Sequence, residues 1–164
     1  MANDIDLRKL ENGRKDLRAA DLSGVDLSGA LLYKVDLSGA NLNGANLSGA
    51  YLREANLSGA KLGLANLCGA KLSLADLSGA RLALANFRGA NLFGANLRGA
   101  IMGRATLVNA NLRDADLRDA YLSEANLNKA EYNNYTRWTD SFDPKAAGAI
   151  NGQNVLHKMK RGNT

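Results

Sequence analysis

Every fifth residue from Leu22 to Leu127 is leucine, except Phe87 and Met102. Two residues before each of these centres, from Ala20 to Ala125, stands alanine, except Val25 and Val35. A period of five belongs to neither regular element. Steps of five advance about 500° around a helix at 100° per residue, which scatters the leucines over all faces. In a strand the odd spacing puts successive leucines on opposite faces. The pattern buries one consistent set of side chains only if the chain bends in every unit. Each unit is then a short extended piece, with Ala and Leu two apart on one side, followed by a corner. Four corners of about 90° close a square coil of about 20 residues, one turn of a solenoid.

The corner residues agree with this reading. In "LSG" the glycine stands second after the centre, where a type II turn requires φ > 0. Asn or Asp precedes many centres, as in "ANL" and "ADL", and short polar side chains there suit hydrogen bonds to the turn backbone. Aromatic residues make up only 5% of the chain, so the core has to be built from small and medium aliphatic side chains.

The recurring A-(N/D)-L-x-x run resembles the pentapeptide-repeat family, over roughly Asp16 to Tyr132. The resemblance implies an all-β fold, a right-handed quadrilateral parallel β-helix. The register from Leu17 to Tyr132 corresponds to about six square coils, and at about 4.8 Å per coil to a rod of about 29 Å. Residues 1–15 carry Ile5, Leu7 and Leu10 among polar residues, then Gly13. That pattern predicts a short N-terminal capping helix ending near Asn12, over an end that would otherwise expose unpaired backbone. Residues 16–132 form the repeat domain. "YTRWTDSFDPKAAGAI" breaks the register, and residues 133–150 are expected to cap the other end. There Trp138 and Phe142 cover the last coil, and Asp143-Pro144 begins a short helix. This stretch resembles the C-terminal ends of cyanobacterial pentapeptide-repeat proteins. Residues 151–164 are mostly polar and read as a flexible tail.

Folded in fours, the outward residues sort onto walls. Two walls are plain. One carries Asp36, Asn56, Asp76 and Asn96, and the opposite one Asp26, Asn46, Asn66 and Asn86, with a corner glycine at each of these levels. They read as turn-stabilising ladders. The other two walls are irregular. On one, Lys61, Arg81, Ile101 and Tyr121 share a column, with Leu64, Leu84 and Arg104 in another. On the other stand Leu31, Tyr33, Lys34, Tyr51 and Arg53, followed by Lys71, Leu74, Phe93 and Arg113. Most of these units lack the corner glycine, so a different turn type is expected. Lys61 and Arg81 fall one coil apart, close enough for like charges to repel. Tyr33, Lys34, Tyr51, Arg53, Lys61, Lys71, Arg81 and Phe93 are the candidate partner-binding residues, because exposed apolar and aromatic groups beside cations suit a contact surface.

The signals for chemistry are few. His157 is the one histidine and falls in the expected tail, away from any acid or nucleophile cluster. No two glycines have the G-x-G spacing of a dinucleotide fingerprint. Cys68 is the one cysteine, follows a Leu centre and has no activating histidine near it in sequence. No catalytic, metal or cofactor residue is assigned, and no small-molecule substrate is expected. The formal charge is +5, yet acids and bases nearly balance within the repeat. The reading is a non-catalytic scaffold for an unidentified protein partner. Some members of the family it resembles mimic DNA against gyrase, but that role needs a strongly acidic rod. Nucleic-acid binding through the irregular walls is the remaining alternative. "MANDIDLRKL" has no apolar stretch of signal-peptide type, and no run reaches the length of a membrane span, so a cytoplasmic protein is expected. The short apolar content after Ile150 favours a monomer.

Overall fold

The computed structural model describes residues 15–152. The chain pairs with itself in parallel, at a separation of twenty residues, through single-residue bridges. Four columns of bridges run side by side, beginning with Asp16↔Asp36, Asp21↔Asn41, Asp26↔Asn46 and Leu31↔Tyr51. Four columns per twenty residues make the section four-sided, so the fold is an all-β quadrilateral β-helix. The capping helix expected over residues 1–15 lies outside the described residues, Lys15 apart.

One unit accounts for every peptide N–H. In the Asn66 unit, Asn66 N donates to Ala45 O at 2.9 Å and Leu67 N to Asn86 O at 2.7 Å. Cys68 N donates to the Asn66 side-chain Oδ1 at 3.2 Å. Gly69 N donates to Arg88 O at 2.9 Å, and Ala70 N closes the turn on Leu67 O at 3.1 Å. The Asn66 unit therefore leaves no N–H unpaired, because its Asx oxygen takes the one that neither neighbouring coil reaches. The inward side chains follow from it. The Leu centres from Leu37 to Leu117, with Phe87 and Met102 among them, are fully buried, and the alanines beside them nearly so. Each buried leucine contributes about 1.5–3 kcal/mol at most. Alanine alternates with leucine because the narrow section has no room for two large side chains from one unit.

The second turn type expected on the irregular walls is not found. Leu64, Leu74, Leu84 and Arg104 have φ of 60°, 60°, 61° and 58°, beside 62–67° for the corner glycines from Gly24 to Gly99. Their corners close with the same bond, as in Ala65 N to Leu62 O at 3.1 Å. Coil closure imposes the left-handed residue at each corner, whether or not glycine occupies it.

At the C-terminal end the spacing changes once. Asp116 pairs with Arg137, twenty-one residues on. The extra residue brings Thr136 to an alanine place and Trp138 to a leucine place. The buried Thr136 hydroxyl donates to Leu112 O at 2.9 Å, which satisfies it. Trp138 packs edge-on to Tyr132, with centroids 5.6 Å apart, and stacks with Phe142 at 5.3 Å. The helix expected from Asp143 is a single turn. Asp143 Oδ1 accepts from Lys145 N at 2.9 Å, Ala147 N reaches Asp143 O at 3.2 Å, and Gly148 at φ 85° ends it. The chain then returns. Strand β1, Glu131–Tyr132, pairs in parallel with β2, Ile150–Asn151. Asn151, expected in the tail, thus belongs to a strand.

Candidate interaction walls

The plain walls form side-chain ladders. On one, Asn46 Nδ2 donates to Asp26 Oδ1 at 3.0 Å, Asn66 to Asn46 at 3.2 Å and Asn86 to Asn66 at 3.2 Å. On the other, Asn96 donates to Asp76 at 3.0 Å. Each Asx oxygen also takes the N–H two residues on, so these walls satisfy themselves. The Ser28 N–H, with Asn46 adding to it, holds the Asp26 carboxyl below the usual carboxylate range. Cys68 is half-buried on the Asn46 ladder's wall.

The irregular walls face opposite ways, so the eight candidate residues do not form one site. Six share the Tyr51 wall. There Tyr33 lies under the Lys34 ammonium, 5.1 Å from the ring centroid, and its hydroxyl reaches Glu54 at 3.4 Å. Lys34 and Arg53 each pair with Glu54 at 3.2 Å. Tyr33 and then Glu54 raise the Lys34 pKa, and Lys34 in turn lowers that of Glu54. Two of the candidate cations therefore share one acid that sequence reasoning did not weigh. Tyr51 is half exposed and bridges Leu31 and Lys71. Phe93 borders an open hollow of about 440 Å³ with Arg53, Ser73, Leu74, Asn91 and Asn111.

Lys61 and Arg81 stand on the opposite wall and pair directly in the sheet. They border a hollow of about 340 Å³ with Asn43, Gly63 and Ala83. No ion pair to Lys61, Arg81 or Lys71 exists among the described residues. Leu64 and Leu84 are exposed by 68% and 45% on the corner beside the hollow. Sequence reasoning found the cations but not the hollow. Its signal is small side chains, Gly63, Ala83 and Gly103, in a column where the plain walls carry mostly serine or arginine, with Cys68, Val108 and Asn128.

The family model described as pentapeptide repeats matches in 8 copies, over residues 16–49, 50–89 and 90–128. The chain belongs to the pentapeptide-repeat family. Membership carries the right hand of the coil that the resemblance implied. This pentapeptide-repeat protein is similar to one from Nostoc Pcc 7120, with 30% identity over 88% of this chain and 91% of that chain, at a TM-score of 0.47. It is similar to Rfr23 from the cyanobacterium Cyanothece 51142, with 34% identity over 82% of this chain and 97% of that one, at a TM-score of 0.35. A pentapeptide repeat protein from the Arabidopsis thaliana thylakoid lumen shares 40% identity over 67% of this chain and 70% of that one, at a TM-score of 0.33. Among curated proteins no relative matches.

Within the described part of this pentapeptide-repeat protein, no group of three or more His, Cys, Asp or Glu is placed to hold a metal ion. No helix there is long and apolar enough to cross a membrane. His157 lies outside the described residues.

Proposed function

We propose that this pentapeptide-repeat protein is a non-catalytic scaffold, a rigid rod of about six coils that presents its two irregular walls to a protein partner. The distribution of exposed large apolar side chains carries this reading. Leu31, Tyr33, Tyr51, Leu74 and Phe93 lie on the Tyr51 wall, and Leu64, Leu84, Ile101 and Tyr121 on the Lys61 wall. Tyr135 and Ile150, at the C-terminal end, complete the set. The plain walls carry none. A solvated surface with no role would spread such residues over all four walls. In this reading the protein works as a monomer in the cytoplasm and needs no cofactor.

The test uses the protein as bait in a native lysate, beside a variant with Lys61, Arg81, Tyr51 and Arg53 changed to Ala. A protein held by the native rod and lost by the variant is expected. Equal capture by both rods, or capture by neither, removes the irregular walls from the reading. DNA mimicry requires an acidic surface, whereas cations stand on every wall here. Excess protein is therefore expected to leave gyrase supercoiling unchanged. Labelled RNA and DNA are expected to pass unretained even at low salt.

A further inference from the structure

We propose that the hollow between Lys61 and Arg81 is a carboxylate-binding site for an acidic side chain, flanked by apolar residues, on a partner protein's extended segment. The inference rests on the scaffold reading and assigns the chemistry of one wall. In a plain unit the residue before the leucine supplies an oxygen to the first N–H of the corner. Asp76 Oδ1 takes Ser78 N at 2.9 Å, and Asn96 Oδ1 takes Arg98 N at 3.2 Å. Asp21 and Asn41 still do so on the Lys61 wall, but at Lys61 and Arg81 that residue is a cation and the oxygen is missing. For Gly63 the chain makes good the loss from the coil before: Asn43 Oδ1 accepts Gly63 N at 2.8 Å. One coil further on, Ala83 N donates to no acceptor among the described residues; Tyr33 N, Arg53 N, Ser73 N, Gly103 N, Val108 N and Ser123 N share that state, but Ala83 is the one of them that lines the hollow with Lys61 and Arg81. Its other four unit-mates are bonded as elsewhere, with Arg81 N to Ala60 O, Leu82 N to Ile101 O, Leu84 N to Gly103 O and Ala85 N to Leu82 O.

An open peptide donor thus lies in a hollow beside two cations that have no acidic partner among the described residues. That is the complement of a carboxylate. A ligand oxygen at Ala83 N–H takes the place that Asp76 Oδ1 holds at Ser78. Its charge relieves the repulsion between Lys61 and Arg81, and charge-assisted bonds of this kind are the stronger class.

The surroundings select the rest of the ligand. Asn43 stands at one end of the floor. At the other, the Tyr121 ring lies over Gly103, so that a Cβ there would meet it at 3.4 Å. The floor between spans three coil steps, about 14 Å, or about four residues of extended chain. Leu64 and Leu84 stand along its other side, with the left-handed backbone that coil closure imposes at each corner. Both are exposed and offer apolar surface beside the open donor. An extended segment turns alternate side chains to opposite sides, acids to the cations and apolar groups to the leucines. Nucleic acid fits less well. Stacking needs exposed aromatic faces, and no aromatic side chain lines the hollow, Tyr121 standing only at its far end.

The test measures fluorescence anisotropy of a labelled peptide of alternating Glu and Leu. Its counterparts carry Lys for Glu, or Ser for Leu, and a thymidine oligonucleotide of equal charge is run in parallel. Two variants separate the site from the fold. Ala83→Pro removes only the open N–H, at a turn position where proline is favoured. Arg81→Asn supplies the missing oxygen from within, as in a plain unit. Both are expected to melt no lower than the native protein and to bind the Glu-Leu peptide at least tenfold more weakly. The Lys and Ser peptides and the oligonucleotide are expected to bind at least tenfold more weakly to the native rod. Native affinity in Ala83→Pro, equal binding of the Lys peptide, or oligonucleotide binding lost in the same variants would each overturn the site. A lysate protein lost by the four-alanine variant but held by Ala83→Pro overturns the site while leaving the scaffold reading intact.

Discussion

At the scale of one residue, the corner position decides more than its side chain suggests. Gly79 and Leu84 have almost the same φ, 62° and 61°. A Cβ on Gly79 would meet nothing within 4 Å, so its glycine answers to backbone conformation alone. Gly79→Ala is therefore expected to cost about 1 kcal/mol, with no change in surface contacts. Leu84→Gly relieves strain of similar size but loosens the unfolded chain, and stability is expected to stay level or rise by up to about 1 kcal/mol. Chemical denaturation of both variants checks this. A clear loss in Leu84→Gly would mean that its side chain packs in a way that its exposure hides. The Asp26 carboxylate shows a second residue-scale effect. Ser28 N–H and Asn46 hold its pKa below the ordinary carboxylate value. Its stabilising contribution is therefore present above the unfolded pKa of about 3.9 and is lost as pH falls through the lowered folded value. Asp26→Asn keeps an oxygen for the same N–H without the charge. Its melting temperature is expected to fall less steeply than that of the native protein as pH falls below about 4.

At the scale of the element, the plain unit is a turn whose first corner amide is satisfied by a side chain. Asn66 shows how much rests on that choice. Its Oδ1 accepts from Cys68 N and Asn86 Nδ2, and its Nδ2 donates to Asn46. Asn66→Ala removes all three bonds from a half-buried ladder and is expected to cost about 1–2 kcal/mol. Asn66→Asp keeps the acceptor roles and loses the donor, so it is expected to fall between the two. Urea midpoints order the three proteins, and an alanine variant as stable as native would mean that solvent replaces the ladder freely. The ladders were legible in the sequence because Asx recurs at one place in the unit. The ion pairs were not. Lys34 meets Glu54, Arg104 meets Glu124 and Arg98 meets Asp119, each about one coil away. Outward positions obey no five-residue rule, so only the stacking of coils reveals which charges meet.

At the scale of the whole molecule, each coil touches only its neighbours, so stability declines towards the ends of the rod. Trp138, Tyr132 and Phe142 close one end, and β2 pairs onto the edge that β1 would otherwise leave open. Trp138→Ala is expected to cost roughly 2 kcal/mol or more and to speed amide exchange in the last coil before the middle of the rod responds. The indole N–H is buried and has no partner among the described residues. Trp138→Phe therefore keeps the stacking without that penalty, and is expected to lose much less than the alanine variant. Uniform exchange along the rod in Trp138→Ala would show that the coils unfold as one unit instead.

The sequence alone determined the inside of this protein. A five-residue period requires a bend in every unit, and Ala and Leu two apart then point inward together. Those are constraints within a unit, and they can be read one unit at a time. Tertiary structure alone decided three things. It imposed left-handed backbone on leucines and lysines, because four corners must close on a coil whatever residue sits there. It absorbed one extra residue before Thr136, because the Leu112 carbonyl was there to take its hydroxyl. It also set which cations stay unpaired and left the Ala83 N–H open, because both depend on oxygens one coil away. Beyond the Asx ladders, which oxygens and charges meet across units twenty residues apart is the part of this chain on which the repeat is silent.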